Sequence, residues 1–506
     1  MLSVISPKNT PVKPAQLKIF VHLPEPTINN PVADNENIKR ALGKKYSALD
    51  FRLECLQEIP HKIRKSGFKI TVILDNNELI AIEPGDTTSS HYGLAFDIGT
   101  TSVCGALVDM TCGKILGIKS ETNPQLIYGD DVISRINHSM SRPHGLEELR
   151  KKVIHSINSI TRKLTSDARV KKNNLYGMTL LGNTTMQHLL LGILPDSIAF
   201  SPYVPVITGP VTTKASELHI DIHPRANAYV FPSIGGYVGG DTVGLILATH
   251  LNKPGKTTIA IDLGTNGEVV LSHKGKIFAA STAAGPAFEG GHISRGMRAV
   301  SGAIETVLVR DDDVSFKVIA NLAPKGLCGS GLVDTVAELL KMKIIDHAGY
   351  IKPKKELKNI LSKKMLSRII ESKAGKSFRL TGIKNGITVT QKDIREFQLA
   401  KGAIRACISI LMKKAGIKAP DIDEILIAGT FGNYLRRESI TSVKIIPAVP
   451  AEKIRFIGNA AMTGAIMGLI SEEMRKEAEL IAKIATYVEL SDRNDFQEEF
   501  AKSLSF

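Results

Sequence analysis

Two segments of the chain carry the same order of residue types: an apolar stretch, an aspartate, an aliphatic residue, a glycine and a threonine. They read Leu94-Ala95-Phe96-Asp97-Ile98-Gly99-Thr100-Thr101 and Ile259-Ala260-Ile261-Asp262-Leu263-Gly264-Thr265-Asn266. A strand that ends in Asp and a tight Gly-Thr turn presents a carboxylate beside backbone N–H groups and hydroxyls, which can surround phosphate oxygens. Each segment therefore predicts a phosphate-binding turn.

The residues of the two turns divide into those suited to a metal ion and those suited to phosphate. We expect Asp97 and Asp262 to face Mg²⁺, mostly through water because this ion gives up its hydration shell reluctantly. The groups expected to contact phosphate are Gly99, Thr100, Thr101 and Ser102 at the first turn and Gly264, Thr265 and Asn266 at the second. One such turn alone fits a structural role as well, but two in matching contexts favour one ATP held between two similar lobes.

Two further carboxylates are candidates for orienting or deprotonating the water that attacks the γ-phosphate, and with Asp97 they form the predicted catalytic group. Glu268 lies two residues beyond Asn266, although a surface charge on a hairpin would look the same. Asp241 follows two glycines, which allow close approach of backbone and ligand. The sequence leaves the choice between Glu268 and Asp241 open.

A third turn, Gly429-Thr430-Phe431-Gly432, follows the predicted strand Glu424–Ala428. We expect it to lie against adenosine, because a missing side chain admits the base and ribose, but an ordinary strand-to-helix turn is the alternative. No G-x-x-x-x-G-K-[ST] motif is present, so we expect the paired turns, and not a lysine-bearing loop, to bind the phosphates.

Strands and helices must position these turns. Apolar stretches at 103–108 and 269–271 predict that each turn joins a β-hairpin. Thr390 and Asp393 predict a capping box that opens a long helix ending at Gly416, and the small residues of 458–465 predict a closely packed helix. In residues 1–90 we expect strands at 17–23 and 69–74 and helices at 37–42 and 49–63, followed by a linker at 85–90.

Composition bounds the other possibilities. The chain of 506 residues is 43% hydrophobic and 23% charged, which is typical of soluble globular proteins. A net charge of +15 fits a lysine-rich solvated surface or an acidic partner, and no nucleic-acid module accompanies it. Because no apolar run is long enough for a membrane helix and the N-terminus lacks an apolar signal core, we expect a cytoplasmic protein without a membrane partner. The five cysteines are scattered without a C-x-x-C pair, so no iron–sulfur cluster is expected in this chain.

Seven motifs together resemble the reductive activators of corrinoid proteins, a group within the acetate kinase, sugar kinase, heat-shock chaperone and actin superfamily. They are Phe96-Asp97-Ile98-Gly99-Thr100-Thr101, Tyr128-Gly129-Asp130-Asp131-Val132-Ile133-Ser134-Arg135, Gly182-Asn183-Thr184-Thr185-Met186, Gly235-Gly236-Tyr237-Val238-Gly239-Gly240-Asp241, Asp262-Leu263-Gly264-Thr265-Asn266-Gly267-Glu268, Cys328-Gly329-Ser330-Gly331-Leu332 and Ala428-Gly429-Thr430-Phe431-Gly432-Asn433.

The resemblance, which spans residues 14 to about 469, implies an α/β protein with a two-lobed, duplicated ribonuclease H-like (actin-like ATPase) fold preceded by a small α+β middle domain. The implied domains are a linker and middle domain at 1–90, lobes at 91–257 and 258–470, and a helical tail at 471–506. The implied function is ATP-dependent reduction of Co(II) corrinoid proteins to Co(I) in methyl-transfer metabolism, with a corrinoid protein as partner and a homodimer as the assembly.

The chain departs from the family pattern in its cysteines, because many members carry an N-terminal ferredoxin domain with C-x₄-C-x₂-C spacing. We therefore expect a separate ferredoxin-like electron donor; a chain that lacks its start, or an ATPase without redox chemistry, would also fit. Two alternatives to the activator stay open. The same cleft supports a small-molecule kinase, for which Asp241 could act as the base, and the missing cluster fits a nucleotide-dependent binding switch.

Overall fold

The computed structural model describes residues 7, 10–310, 312–373, 375–382, 386–429 and 435–506. These residues form two compact units. The N-terminal unit comprises the described residues of Ser6–Ala248 together with Ala461–Lys483, and the C-terminal unit comprises Thr249–Ala460 and Ile484–Phe506. Among the residues described, no helix is long and apolar enough to cross a membrane.

The N-terminal unit begins with a small four-stranded sheet covered by two helices. Its elements are β1 Gln16–His22, α1 Asp34–Leu42, β2 Asp50–Phe51, α2 Leu53–Lys65, β3 Lys69–Asp75 and β4 Glu78–Pro84, and the strand order is β1-β3-β4-β2. The predicted strands and the first predicted helix are confirmed. The helix predicted at 49–63 is wrong at its start, because Asp50 and Phe51 pair with β4 and the helix begins only at Leu53.

The rest of the N-terminal unit is built on a six-stranded sheet. Its elements are β5 Tyr92–Ile98, β6 Ser102–Asp109, β7 Lys114–Thr122, α3 Val132–Ser141, α4 Gly145–Ala168, β8 Leu175–Gly182, α5 Thr184–Leu191, α6 Asp196–Ala199, β9 Val211–Lys214, β10 Asn227–Val230 and α7 Gly240–Thr249. The strand order is β7-β6-β5-β8-β10-β9. Strands β5, β6 and β7 are antiparallel, whereas β8 runs parallel to β5 and β10 parallel to β8.

The C-terminal unit contains a second six-stranded sheet and two three-stranded sheets. Its elements are β11 Thr258–Leu263, β12 Asn266–His273, β13 Lys276–Ala283, β14 Ala303–Arg310, β15 Asp313–Val318, β16 Gly326–Leu327, α8 Gly329–Lys341, α9 Lys354–Leu357, α10 Lys363–Arg368, β17 Ile369–Ser372, β18 Gly375–Arg379, β19 Thr388–Thr390, α11 Gln391–Ala415, β20 Glu424–Ala428, α12 Arg437–Ser442 and β21 Ile454–Gly458. The chain continues through α13 Ala460–Ile470 and α14 Glu472–Ile484 to β22 Thr486–Tyr487 and α15 Asn494–Ser503.

The two large sheets repeat one topology, which confirms the predicted duplication. The second sheet has the order β21-β20-β11-β12-β13-β22. As in the first sheet, three antiparallel strands are followed by a strand parallel to the first of them, here β20 beside β11, and then by β21 parallel to β20. Each Asp-x-Gly-Thr turn therefore lies at the same place in its sheet, between the first and second strands.

Two predicted helices also match the sequence signals. Thr390 and Asp393 form the capping box of α11, and Gly416 ends that helix in the left-handed conformation. In α13, a side chain on Gly464 would lie only 2.3 Å from the carbonyl oxygen of Gly244 in α7. Glycine at both positions therefore allows α7 and α13 to approach closely within the N-terminal unit.

Candidate functional site

The first Gly-Thr turn joins β5 to β6, and its backbone is held by three hydrogen bonds. Asn123 Nδ2 donates to the carbonyl oxygen of Gly99 at 2.9 Å, Arg135 Nη2 donates to that of Thr100 at 2.5 Å, and the Asn123 N–H donates to that of Thr101 at 2.9 Å. In a trans peptide the C=O and the following N–H point in opposite directions. The N–H groups of residues 100–102 therefore point away from Asn123 and Arg135, in the manner of a backbone nest for an anion.

Arg135 lies in α3 and is completely buried. Besides Thr100, its guanidinium reaches the Gln125 Oε1 atom and the Gly129 carbonyl oxygen, both at 3.0 Å. Burial lowers the pKa of Arg135 to about 10. This arginine belongs to the Tyr128–Arg135 motif, but the sequence did not predict that its role is to hold the first turn.

Asn183 connects the first turn to the glycine-rich segment at 235–240. Its Nδ2 atom donates to the Thr100 hydroxyl at 2.9 Å, while its Oδ1 atom accepts the Met186 N–H at 2.9 Å and so caps α5. A side chain on Gly239 would lie 2.4 Å from the Asn183 Cα atom, so this close approach requires glycine. The contact places the start of α7, and with it Asp241, beside the first turn.

Asp97 and Asp241 are brought near each other within the N-terminal unit. Asp97 lies at the end of β5 and Asp241 in the first turn of α7, and both are half-buried. Burial, followed by the charge of Asp97, raises the pKa of Asp241. The Asp241 Oδ1 atom accepts the Thr242 N–H at 2.6 Å. A carboxyl group with a raised pKa beside a phosphate-type turn has the properties of a general base.

The second turn joins β11 to β12 and is held by a residue that the sequence analysis missed. The Thr265 hydroxyl donates to the Glu289 Oε2 atom at 2.7 Å, and the Thr265 carbonyl oxygen accepts the Gly285 N–H at 3.0 Å. Within the turn, the Gly264 N–H donates to the Asn266 carbonyl oxygen at 3.2 Å. Glu289 ends the short 3-10 helix Pro286–Glu289, and no spacing in the sequence connects it with Thr265.

Asp262 and Glu268 are cross-strand partners in the second hairpin, so their side chains leave the sheet on the same face. Glu268 is 8% exposed, and its Oε1 atom accepts the Ser281 hydroxyl at 3.4 Å. It is therefore a buried carboxylate and not a surface charge. Its environment makes it a candidate for holding water beside Asp262.

Gly429, which follows β20, approaches Asp262 directly. It has a φ of +96°, and a side chain there would lie 2.9 Å from the Asp262 Oδ1 atom. The Gly429 N–H donates to the Gly458 carbonyl oxygen at 3.0 Å. Glycine is therefore required at this position both because φ is positive and because a side chain would collide with the Asp262 carboxylate. The other predicted adenosine-binding residues, Thr430, Phe431 and Gly432, lie outside the described residues.

The two hairpins differ by one residue in the turn. Asp97 pairs with Cys104 across the first hairpin, seven residues later, whereas Asp262 pairs with Glu268, six residues later. Burial and the charge of Asp97 raise the pKa of the Cys104 thiol, so it is neutral at ordinary pH. The first aspartate thus faces a neutral thiol, and the second faces a carboxylate.

The described residues contain no group of three or more His, Cys, Asp or Glu side chains arranged to hold a metal ion. Of the five cysteines, only Cys112 is exposed, and the others are buried singly. The Cys328 thiol donates to the Ile304 carbonyl oxygen at 3.2 Å, which gives it a structural role.

Family models match the chain over nearly its whole length. Residues 256–506 match the model for the C-terminal domain of RACo, the ASKHA domain; residues 92–254 match the RACo middle region; and residues 6–89 match the RACo linker region. The middle-region model thus covers the residues that carry the first large sheet and the first turn.

Individual relatives agree with the family models. The chain is 34% identical to the corrinoid activation enzyme RamQ of Eubacterium limosum over 446 residues, which cover 87% of this chain and 74% of the relative. It is 26% identical to the Co(II) methylated amine-specific corrinoid protein reductase of Methanosarcina barkeri, over 82% of this chain and 77% of the relative. A solved structure of a reductive activator for corrinoid, iron–sulfur protein superposes with a TM-score of 0.90 at 34% identity, covering 99% of this chain and 80% of that chain.

Proposed function

Because the chain belongs to the family of reductive activators of corrinoid proteins, we propose that it uses ATP hydrolysis to help return an inactive Co(II) corrinoid protein to the Co(I) state in methyl-transfer metabolism. A separate iron–sulfur protein loses one electron and the cobalt gains it, while ATP and one water molecule yield ADP and phosphate. The first turn is the observation that supports the binding of ATP. Asn123 and Arg135 bond three successive carbonyl oxygens there, so the N–H groups that follow point away from these two side chains and are available to an anion.

The two turns contribute different groups to the proposed binding of ATP. The first offers oriented N–H groups and the Thr100 hydroxyl, which Asn183 holds in place. The second offers the turn of residues 264–266, which is held through Thr265 by Glu289. Asp97 and Asp262 would hold Mg²⁺ through water, and the ion would neutralise charge on the phosphates.

Asp241 and Glu268 receive separate roles in this proposal. Asp241 orients and deprotonates the attacking water, because its raised pKa brings it closer to the working pH and it lies beside the first turn. Glu268 orients water held at Asp262, its cross-strand partner. Phosphoryl transfer needs little covalent help, so placement of water and charge is the main contribution expected from these side chains.

An external electron donor is proposed because the described cysteines are isolated. Iron–sulfur clusters are generally held by several cysteine thiolates, and four of the five cysteines here are buried singly in the two units. A ferredoxin-like protein is therefore the proposed source of electrons, and the corrinoid protein is the proposed acceptor. We further propose that the activator works as a homodimer.

The proposal is tested under anaerobic conditions by mixing the chain, ATP, a reduced ferredoxin and a Co(II) corrinoid protein and following the Co(I) absorbance. We expect an ATP-dependent rise in Co(I). Asp97→Asn and Asp262→Asn should each slow it by about 100-fold, the order of loss seen when one charge-stabilising group is removed from an active site. Asp109→Asn is the matched control. Asp109 ends β6, at the far end of the first hairpin from the Gly-Thr turn, and its carboxylate accepts the Thr111 N–H.

The outcomes separate the competing functions. A kinase would be identified if a sugar or a carboxylic acid accelerated ATP turnover and no Co(I) formed. That result would refute the assignment as a corrinoid activator. ATP-dependent binding of the corrinoid protein without any change in cobalt would identify a binding switch. Equal activity of Asp97→Asn, Asp262→Asn and Asp109→Asn would refute the assignment of the two turns to the nucleotide.

A further inference from the structure

Three buried phenylalanine rings follow one another through the C-terminal unit. Phe288 and Phe397 meet edge to face with ring centroids 5.7 Å apart, and Phe397 and Phe506 lie 6.1 Å apart with an angle of 31° between the rings. None of the three is more than 3% exposed. This aromatic row, Phe506–Phe397–Phe288, connects residues 504–506 with the residue that precedes Glu289.

The Phe506 end of the row is fixed by polar contacts as well as by packing. The Phe506 N–H donates to the His347 carbonyl oxygen at 2.8 Å. Lys401 Nζ donates to the Ser505 carbonyl oxygen at 2.6 Å and lies 4.9 Å from the centroid of the Phe506 ring. Gln398 Nε2 donates to the Leu504 carbonyl oxygen at 3.0 Å. Residues 504–506 are therefore docked in one register on α11, which also carries Phe397.

The other end of the row adjoins the second turn. Phe288 and Glu289 are consecutive residues of a four-residue 3-10 helix, and Glu289 accepts the Thr265 hydroxyl at 2.7 Å. Beyond the helix, Gly290 has a φ of +82°, and a side chain there would lie 2.6 Å from the Met297 carbonyl oxygen. The short helix packs against α8 and α11, and the buried ring of Phe288 is one of its contacts with α11.

We propose that Phe506 is a positioning residue for the second phosphate turn: through Phe397 and Phe288 it holds Glu289 where it bonds Thr265. Protein interiors are packed as densely as organic crystals and transmit small displacements, and edge-to-face rings have a preferred geometry. Loss of the Phe506 ring lets Phe397 move, and Phe288 and Glu289 follow. The inference rests on the proposed binding of ATP at the second turn.

Two measurements on Phe506→Ala test it. The dissociation constant for MgATP should rise about tenfold, because small displacements of binding groups have large effects on a preorganised site. Hydrogen–deuterium exchange of residues 263–268 should be faster without any nucleotide, while residues 97–104 in the N-terminal unit keep their exchange rates. In a double-mutant cycle with Glu289→Gln, the two effects on MgATP affinity should be clearly less than additive, since both act through the bond to Thr265.

Phe378→Ala is the matched control. Phe378 lies in β18, is 1% exposed and belongs to the same hydrophobic core, but it is not part of the ring pairs Phe288–Phe397 and Phe397–Phe506 that form the aromatic row. It should lower the melting temperature without changing MgATP affinity or exchange at 263–268. Should Phe506→Ala fold poorly, Phe506→Leu keeps most of the buried volume and is judged by the same two measurements.

The inference is overturned when Phe506→Ala and Phe378→Ala behave alike in exchange at 263–268, or when the effects of Phe506→Ala and Glu289→Gln simply add. A wild-type chain that binds no MgATP would refute the proposed function. The exchange comparison needs no nucleotide, so it still decides whether Phe506 positions the turn.

Discussion

Replacing Arg135 by methionine should separate the stability of the fold from the affinity for ATP. The change leaves the Thr100 and Gly129 carbonyl oxygens without their guanidinium donor, whereas the Gln125 Oε1 atom keeps the Asn123 side chain as a donor. Each acceptor left unpaired in the interior costs about 1 to 3 kcal/mol. Against this, the lowering of the Arg135 pKa from 12.5 to about 10 by burial corresponds to a cost of about 3 kcal/mol for the buried charge, and methionine avoids this cost. The two contributions nearly cancel, so the free energy of unfolding should change by no more than about 3 kcal/mol.

The nucleotide should respond much more strongly than the fold. Without the guanidinium the Thr100 peptide is free to rotate, and an oriented N–H donor to phosphate is lost. A hydrogen bond to a charged group contributes about 1.5 to 3 kcal/mol, so MgATP affinity should fall by about 10- to 100-fold. Isothermal titration calorimetry measures the affinity, and urea denaturation measures the stability of the same samples.

Arg142→Met is the control for this experiment, because Arg142 follows the same helix, α3, and is exposed. It should change neither quantity. A folded Arg135→Met protein with wild-type affinity for MgATP would refute the reasoning, because the orientation of the first turn would then not depend on the guanidinium.

Three other predictions concern single positions. Gly429→Ala should abolish ATP hydrolysis in a protein that still folds, because its methyl group would displace the Asp262 carboxylate, which lies 2.9 Å from it; a phosphate-release assay and a melting curve check this. In the wild type, the acidic limb of the pH–rate profile for ATP hydrolysis should have its midpoint above the ordinary pKa range of aspartate, because burial and the charge of Asp97 raise the pKa of Asp241. Asp241→Asn should remove this limb. Burial lowers the pKa of Lys401 from 10.5 to about 7, so the folded state binds fewer protons than the unfolded state between these values, and wild-type stability should rise with pH across this window. Lys401→Met should lose that rise, as followed by urea denaturation at pH 7 and 9.5, and identical pH dependence of the two proteins would contradict the assignment.

The architecture was predictable because the duplicated turns lie in matching strand contexts. Apolar stretches before and after Asp97 and Asp262 predict two hairpins, and both are present with the expected pairing. The capping box at Thr390 and the glycine at 416 likewise fix both ends of α11. These signals are local: each depends on residues only a few positions apart.

The supporting residues were not predictable, because their partners lie far along the chain. Arg135 reaches Thr100 across 35 residues, and Asn183 reaches the same residue across 83. Glu289 contacts Thr265 only because the strand between them returns to the turn. The misplaced start at residue 49 has a similar cause, since Asp50 and Phe51 pair with β4, a contact that helical periodicity does not contain.

The different cross-strand partners of Asp97 and Asp262 mean that the two hairpins of this duplicated chain are not chemically equivalent. Exchange of one hairpin for the other would create either a protein with two neutral thiols opposite its aspartates or one with two acidic pairs. Neither chimaera would reproduce the native charge distribution. The two repeats therefore differ both in the length of the turn and in the group that lies opposite the aspartate.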